Sequence, residues 1–244
     1  MKRRAALAVA VLMAVIAPRV ARADTVLVAV AANFSAVAEE LAPLFTAATG
    51  HEVRHSFGAT GQLFTQITQG APFEVFLSAD AERPARAVAD GLAVEGTVFT
   101  YAVGRLALYG LDAADAEGVL AAGQVHHLAI ADPETAPYGR AAVETLAALG
   151  LTELYAGKLV TGESITQALQ FVESGSAELG FVAASQVHGK AGAWMVPPDL
   201  HRPIRQDAVL LAAGADNPAA RAYLEFLRSD AAVAVITAAG YAVE

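Results

Sequence analysis

Gly58-Ala59-Thr60-Gly61 stands between a short run, 53–57, that opens on Val53 and closes on Phe57, and a helix-like run, 62–69. Small residues in such a turn leave backbone N–H groups uncovered. A strand that passes through glycines into a helix start aims those groups, and the positive end of the helix dipole, at one spot suited to an anion. No Lys or Arg lies in the turn. A βα connection that merely needs glycine reads the same way, so the weight rests on whether the arrangement recurs.

It does recur. Upstream, 25–31 is an apolar, β-branched run suited to a strand buried on both faces of a parallel sheet. Ala32-Asn33-Phe34-Ser35 then turns into a helix with Val37, Leu41, Leu44 and Phe45 at helical spacing, Asn33 or Ser35 as its cap and Gly50 as its stop. Downstream, 73–77 reads as a third strand, and Ser78-Ala79-Asp80 leads into a helix with Pro84 in its first turn. This βαβαβ alternation predicts a doubly wound α/β lobe whose ligands sit off the carboxyl ends of the strands.

The middle of the chain repeats the theme. Strands are expected at 106–109 and 127–131; Ala136-Pro137-Tyr138-Gly139 precedes a helix over 140–149, and Glu163-Ser164 precedes another from near Ile165. Further strands are expected at 179–183 and 209–212. Asn217-Pro218 makes a cap and first-turn pair for a helix, and a last helix covers 230–239. No sequence-level repeat or Pro/Gly-rich linker separates two independent domains. The expected organisation is therefore an interrupted lobe, 24–103 plus 207–244, and a second lobe, 104–206. Two extended crossings, 99–108 and 205–211, would join them and allow hinge closure on a ligand.

The N-terminus reads as an export signal: Lys2, Arg3 and Arg4, the apolar run 5–17, and Ala21-Arg22-Ala23 as the cleavage pattern. The run is shorter than the ~20 residues that cross a bilayer. The expected mature chain begins at Asp24, and without cysteine it carries no lipid anchor there, no disulfide and no thiolate metal site. A periplasmic location follows. A net charge of −9 opposes binding to nucleic acid or anionic lipid surfaces, so an anionic ligand has to be captured locally, against the mean field.

Four turns of one kind thus stand together: 32–35, 58–61, 136–139 and 163–165, two in each expected lobe. If they meet across a cleft, they form a small pocket of neutral donors for an oxyanion; as four ordinary helix caps they form nothing. Enzyme readings have less to stand on. Ser176 lies in Gly175-Ser176-Ala177, without the spacing of a nucleophile elbow, and no Walker lysine is present. The pairs His126-His127 and His51/His55 do not share a helix face for zinc. Asp132 and Glu134 fit turn chemistry better than an acid/base pair. Trp194, which could be a docking patch, reads as packing.

Ala31-Ala32-Asn33-Phe34, Gly58-Ala59-Thr60-Gly61, the stretch from Gly70-Ala71-Pro72 to Ser78-Ala79-Asp80, Ala136-Pro137-Tyr138-Gly139, Leu179-Gly180-Phe181-Val182-Ala183 and Ala239-Gly240-Tyr241 give the chain its family likeness. Over essentially the whole expected mature length it resembles the periplasmic molybdate-binding proteins of ABC-type molybdate importers. The resemblance implies a type II periplasmic binding protein fold, two doubly wound α/β lobes joined by two hinge crossings and closed over one tetrahedral oxyanion. Carried over by position, it implies a site of Ala32, Asn33, Ala59, Thr60, Tyr138 and Ile165. Asn33 and Thr60 would donate from the first lobe, Tyr138 and the Ile165 N–H from the second. It also implies a monomeric solute receptor rather than an enzyme, with no cofactor and with molybdenum present only as the bound oxyanion. The ligand would be molybdate or tungstate and the partner an inner-membrane ABC permease. Relatives often carry Ser at the place of Asn33, Ala at that of Tyr138 and Tyr at that of Ala183, so the chain resembles an Asn-plus-Tyr subgroup in which Tyr138 replaces the missing hydroxyl. A receptor for another tetrahedral oxyanion such as sulfate, and a Ser/His hydrolase, are the alternatives.

Overall fold

The computed structural model describes residues 23–110 and 116–243; residues 1–22 of the expected export signal lie outside the described residues. In chain order the elements are β1 (Thr25–Ala31), α1 (Ser35–Thr49), β2 (Glu52–Gly58), α2 (Thr60–Thr68), β3 (Val75–Leu77), α3 (Glu82–Ala89), β4 (Phe99–Gly104) and β5 (Leu106–Gly110). There follow α4 (Ala116–Ala122), β6 (Leu128–Ala131), α5 (Pro137–Ala148), α6 (Thr152–Tyr155), β7 (Leu159–Gly162), α7 (Ile165–Glu173), β8 (Leu179–Ala183), β9 (Ala193–Met195), β10 (Ile204–Leu210), α8 (Pro218–Leu227) and α9 (Asp230–Ala238).

The strands form two five-stranded mixed sheets, ordered β2-β1-β3-β10-β4 and β7-β6-β8-β5-β9. In the first, β1 runs parallel to β2 and β3, and β10 runs antiparallel to β3 and β4. In the second, β6 is parallel to β7 and β8, and β5 is antiparallel to β8 and β9. One α/β topology is thus used twice, although the two halves share no sequence repeat.

Alternation along β1 shows why the first sheet is covered on both faces. Val26, Val28 and Val30 pack into one core with Phe34, Leu41, Phe45, Tyr223 and Leu224, while Ala29 faces another with Leu63, Ile67 and Phe76. A strand buried on both faces has to be apolar, and from Val26 onward this one is. The chain leaves the first sheet through Gly104, passes Arg105 and enters the second at Leu106; it returns between β9 and β10. The register of β10 against β4 slips between Gln206 and Asp207.

Several elements depart from the sequence reading. A 3-10 turn, Ala32–Phe34, precedes α1, so Phe34 caps the helix and neither Asn33 nor Ser35 does. Helix α5 begins at Pro137 and not at 140: a proline at the first helical position has no N–H to lose, and Tyr138 and Gly139 lie inside the first turn. Strand β10 starts at Ile204, because its first residues pair with the end of β4. By contrast, Asn217 caps α8 as expected, its side chain accepting the Ala219 N–H at 2.9 Å.

Candidate functional site

The carboxyl ends of β1, β2 and β3 face those of β6 and β7, and the expected turns lie where they meet. Ala32, Asn33, Ala59, Thr60, Tyr138 and Ile165 line one cavity, together with Ala31, Ala79, Ala136 and Pro137. No charged side chain is among them. The cavity is small, about 10 Å³, close to the ~10–15 Å³ that holds one water. Small residues make this approach possible. Ala31, Ala32, Ala59 and Ala79, at the ends of the first sheet, pack into the core of the second half. Gly139 is required where it stands, since a Cβ there would lie 2.2 Å from the Ala131 carbonyl oxygen.

The available chemistry is donation. Thr60 and Ile165 are the first residues of α2 and α7, and Tyr138 is the second of α5. Their N–H groups fall among the first four of a helix, which have no intrahelical acceptor, and three positive helix ends converge with them. The Thr60 hydroxyl, 1% exposed, accepts the Ala79 N–H at 3.0 Å, which leaves its own proton to donate. At α7, Ser164 accepts the Gln167 N–H at 3.3 Å and so orders the turn before Ile165.

Two of the expected side-chain donors have partners of their own behind the cavity. The Asn33 amide nitrogen donates to Gln206 Oε1 at 2.8 Å and to the Tyr241 hydroxyl at 3.0 Å, so Asn33 faces the cavity while its side-chain donors are held behind it. The Tyr138 hydroxyl oxygen accepts from Gln206 Nε2 at 3.1 Å and sits over Gly104, where a Cβ would lie 2.0 Å away. Burial, with Tyr241 and Tyr101 nearby, pushes the Tyr138 phenol well above its ordinary pKa, against the hydrogen bond from Gln206, which lowers it. In this structure the Asn33 amide braces the site, while the Tyr138 hydroxyl, an acceptor toward Gln206, keeps its own proton, and the Tyr138 N–H lies in the first turn of α5.

The two halves touch around the cavity. Gly61 N–H donates to the Thr135 carbonyl at 2.8 Å, the Thr166 hydroxyl to the Ala32 carbonyl at 3.2 Å, and Arg83, ion-paired with Asp80, to the Glu134 carbonyl at 3.1 Å. Arg140 and Glu82 approach at 3.4 Å. A wider groove of about 200 Å³ adjoins the cavity through Ala79 and Pro137, but Arg140 and Arg202 on its wall face Glu82 and Glu144.

The remaining candidates lie elsewhere. Ser176 is exposed, 3.0 Å from the Ser174 hydroxyl. His126 and His127 precede β6 and give their backbone N–H groups to Glu178. His55 approaches the Tyr223 hydroxyl at 3.3 Å, and burial holds its imidazole down at about 4. Asp132 accepts from the Glu134 N–H and the Thr135 hydroxyl, which is turn chemistry. Trp194 lies on β9 opposite Leu108 and packs on the second core. Ala183, at the end of β8, is buried away from the cavity lining. The sequence reading did not pick out Gln206 or Ser185, and it noted Tyr241 only as part of a likeness; the sequence shows a glutamine within the expected crossing, 205–211, but not its burial.

A family model described as bacterial extracellular solute-binding protein matches residues 26–242. The chain is 53% identical to the molybdate-binding protein ModA of Rhodobacter capsulatus, over 99% of this chain and 97% of that one. It is 52% identical to the molybdate-binding protein ModA of Azotobacter vinelandii, over 92% of each. The solved structure of an Azotobacter vinelandii periplasmic molybdate-binding protein superposes with a TM-score of 0.86 at 36% identity, covering 90% of this chain and 99% of that one.

Proposed function

Since the chain belongs to the bacterial extracellular solute-binding protein family, we propose that it is a receptor for molybdate, and for tungstate with it, captured between two lobes and delivered to an ABC permease. The observation that carries this is the cavity free of charged side chains where helix starts from both halves converge, in a chain 53% identical to a molybdate-binding protein over 99% of its length. Ala32, Asn33, Ala59, Thr60, Tyr138 and Ile165 form the site.

A dianion entering this cavity meets N–H groups and the Thr60 hydroxyl, each a charge-assisted hydrogen bond once made, and the positive ends of α2, α5 and α7. The donors stay neutral. Tyr241 behind Asn33 is pushed up to about 12 by burial, so no group there titrates near neutral pH. The lobes, 24–103 plus 207–244 and 104–206, close by hinge motion at the strands that cross between the sheets. The protein acts as a monomer without cofactor and catalyses nothing. Its signal is removed after Ala23 and it works in the periplasm; no helix among the described residues is long and apolar enough to cross a membrane.

Calorimetry of the mature protein against molybdate, tungstate, sulfate and phosphate tests the assignment. One-site binding of molybdate and tungstate, with sulfate and phosphate far weaker, is expected. Sulfate binding as tightly as molybdate, or none of the four binding, would overturn it.

A further inference from the structure

Gln206 is completely buried on β10, at the step where the register against β4 slips. Such a bulge re-aims a side chain. Here the amide is aimed between the two halves: Nε2 donates to the Tyr138 hydroxyl oxygen at 3.1 Å, and Oε1 accepts from Asn33 Nδ2 at 2.8 Å. Tyr138 and Asn33 both line the cavity, yet one belongs to a helix of the second half and the other to the turn after β1. A glutamine amide carries donors at one corner and an acceptor at the other, so one side chain on a crossing strand can hold both turns.

The surroundings leave it little alternative. The Tyr101 hydroxyl lies 3.2 Å from Gln206 Oε1. A Cβ on Gly104 would lie 2.7 Å from Gln206 Nε2, so only glycine leaves the amide its place. The Asn33 turn is pinned from its other side as well. Tyr241 donates to the Asn33 carbonyl at 2.8 Å and accepts from Ser185, which follows β8 of the second sheet, at 2.8 Å.

We propose that Gln206 is a positioning residue that couples the cavity to the crossing strands. By holding Asn33 and Tyr138 at once it keeps the two halves closed, and closure in turn retains the anion. The inference rests on the oxyanion reading of the cavity. Gln206 would then govern escape more than capture, because capture takes place in the open form where the bridge is not made.

Gln206→Met keeps approximate volume and removes both bridging bonds, along with the one from the Tyr101 hydroxyl. Stopped-flow measurements with molybdate should show dissociation faster by about tenfold or more, the worth of one or two lost hydrogen bonds, and association no slower, because more of the free variant is open. Small-angle scattering of the ligand-free variant should give a larger radius of gyration than wild type. Tyr138→Phe removes the bond on one side only and should shift both readouts the same way by less; added to Gln206→Met it should cost little further, since the two share one interaction. A purely structural role lowers the melting temperature and leaves dissociation and compaction alone. Folded Gln206→Met with wild-type dissociation and radius overturns the proposal. Should that variant not fold, Tyr138→Phe with wild-type values overturns it equally. Wild type that binds no molybdate would sink the functional reading instead, and the ligand-free scattering comparison would still decide this one.

Discussion

The Thr60 hydroxyl accepts the Ala79 N–H at 3.0 Å, tying the start of α2 to the segment after β3 and keeping one proton for the cavity. Thr60→Val retains the shape and loses both bonds. A hydrogen bond to a charged group is worth ~1.5–3 kcal/mol, so molybdate affinity should fall roughly ten- to a hundredfold, while Thr60→Ser should stay near wild type. Equal affinities for all three in a titration would remove this hydroxyl from the site.

Gly104→Ala should destabilise the protein with or without ligand. The added Cβ would meet the Tyr138 hydroxyl at 2.0 Å, and overpacking of this kind costs about 1–3 kcal/mol. Urea unfolding should show a lower midpoint at unchanged slope. An unchanged midpoint would mean that the Tyr138 hydroxyl does not occupy that space.

How much of this was legible depends on how local each cause is. The β1 strand, the stop of α1 at Gly50 and the Asn217-Pro218 start of α8 follow from neighbouring residues, and they stand where the sequence puts them. The start of α5 was legible too, in Pro137, and was placed three residues late. Strand β9 was not: three residues at a sheet edge, Ala193–Met195, carry no periodicity. The turns at 32–35, 58–61, 136–139 and 163–165 could be picked out as chemistry because each is a local pattern. What Asn33 and Tyr138 do with their side chains could not, since the partner of both, Gln206, is 173 and 68 residues away.

His55 should make stability depend on pH. Burial lowers its pKa from 6.5 to about 4, so between those values the unfolded chain binds a proton that the folded one refuses. Stability is therefore complete above about pH 6.5 and declines as pH falls toward 4. The melting temperature should drop between pH 7 and 5, and His55→Gln should flatten that slope. The same drop in the variant would assign the dependence to other groups.

Phosphate should be rejected. Near neutral pH it keeps a P–OH that has to donate, and the cavity presents donors; leaving that hydroxyl unpaired costs ~1–3 kcal/mol and displaces a favourable contact. With no His or carboxylate lining the cavity, molybdate affinity should stay nearly flat from about pH 6 to 8. Phosphate competing within about tenfold, or a steep change across that window, would reveal an acceptor or a titrating group at the site.

The central claim is that neutral donors from both halves hold the anion, and a crystal of the molybdate complex measured at the molybdenum absorption edge tests it most directly. One anomalous peak is expected, in the cavity bounded by Thr60, Tyr138 and Ile165, with the oxyanion within hydrogen-bonding distance of the Thr60 hydroxyl and the Ile165 N–H and no charged side chain touching it. A peak in the neighbouring groove beside Arg140 and Arg202, or a cationic side chain bonded to the oxyanion, would contradict the account.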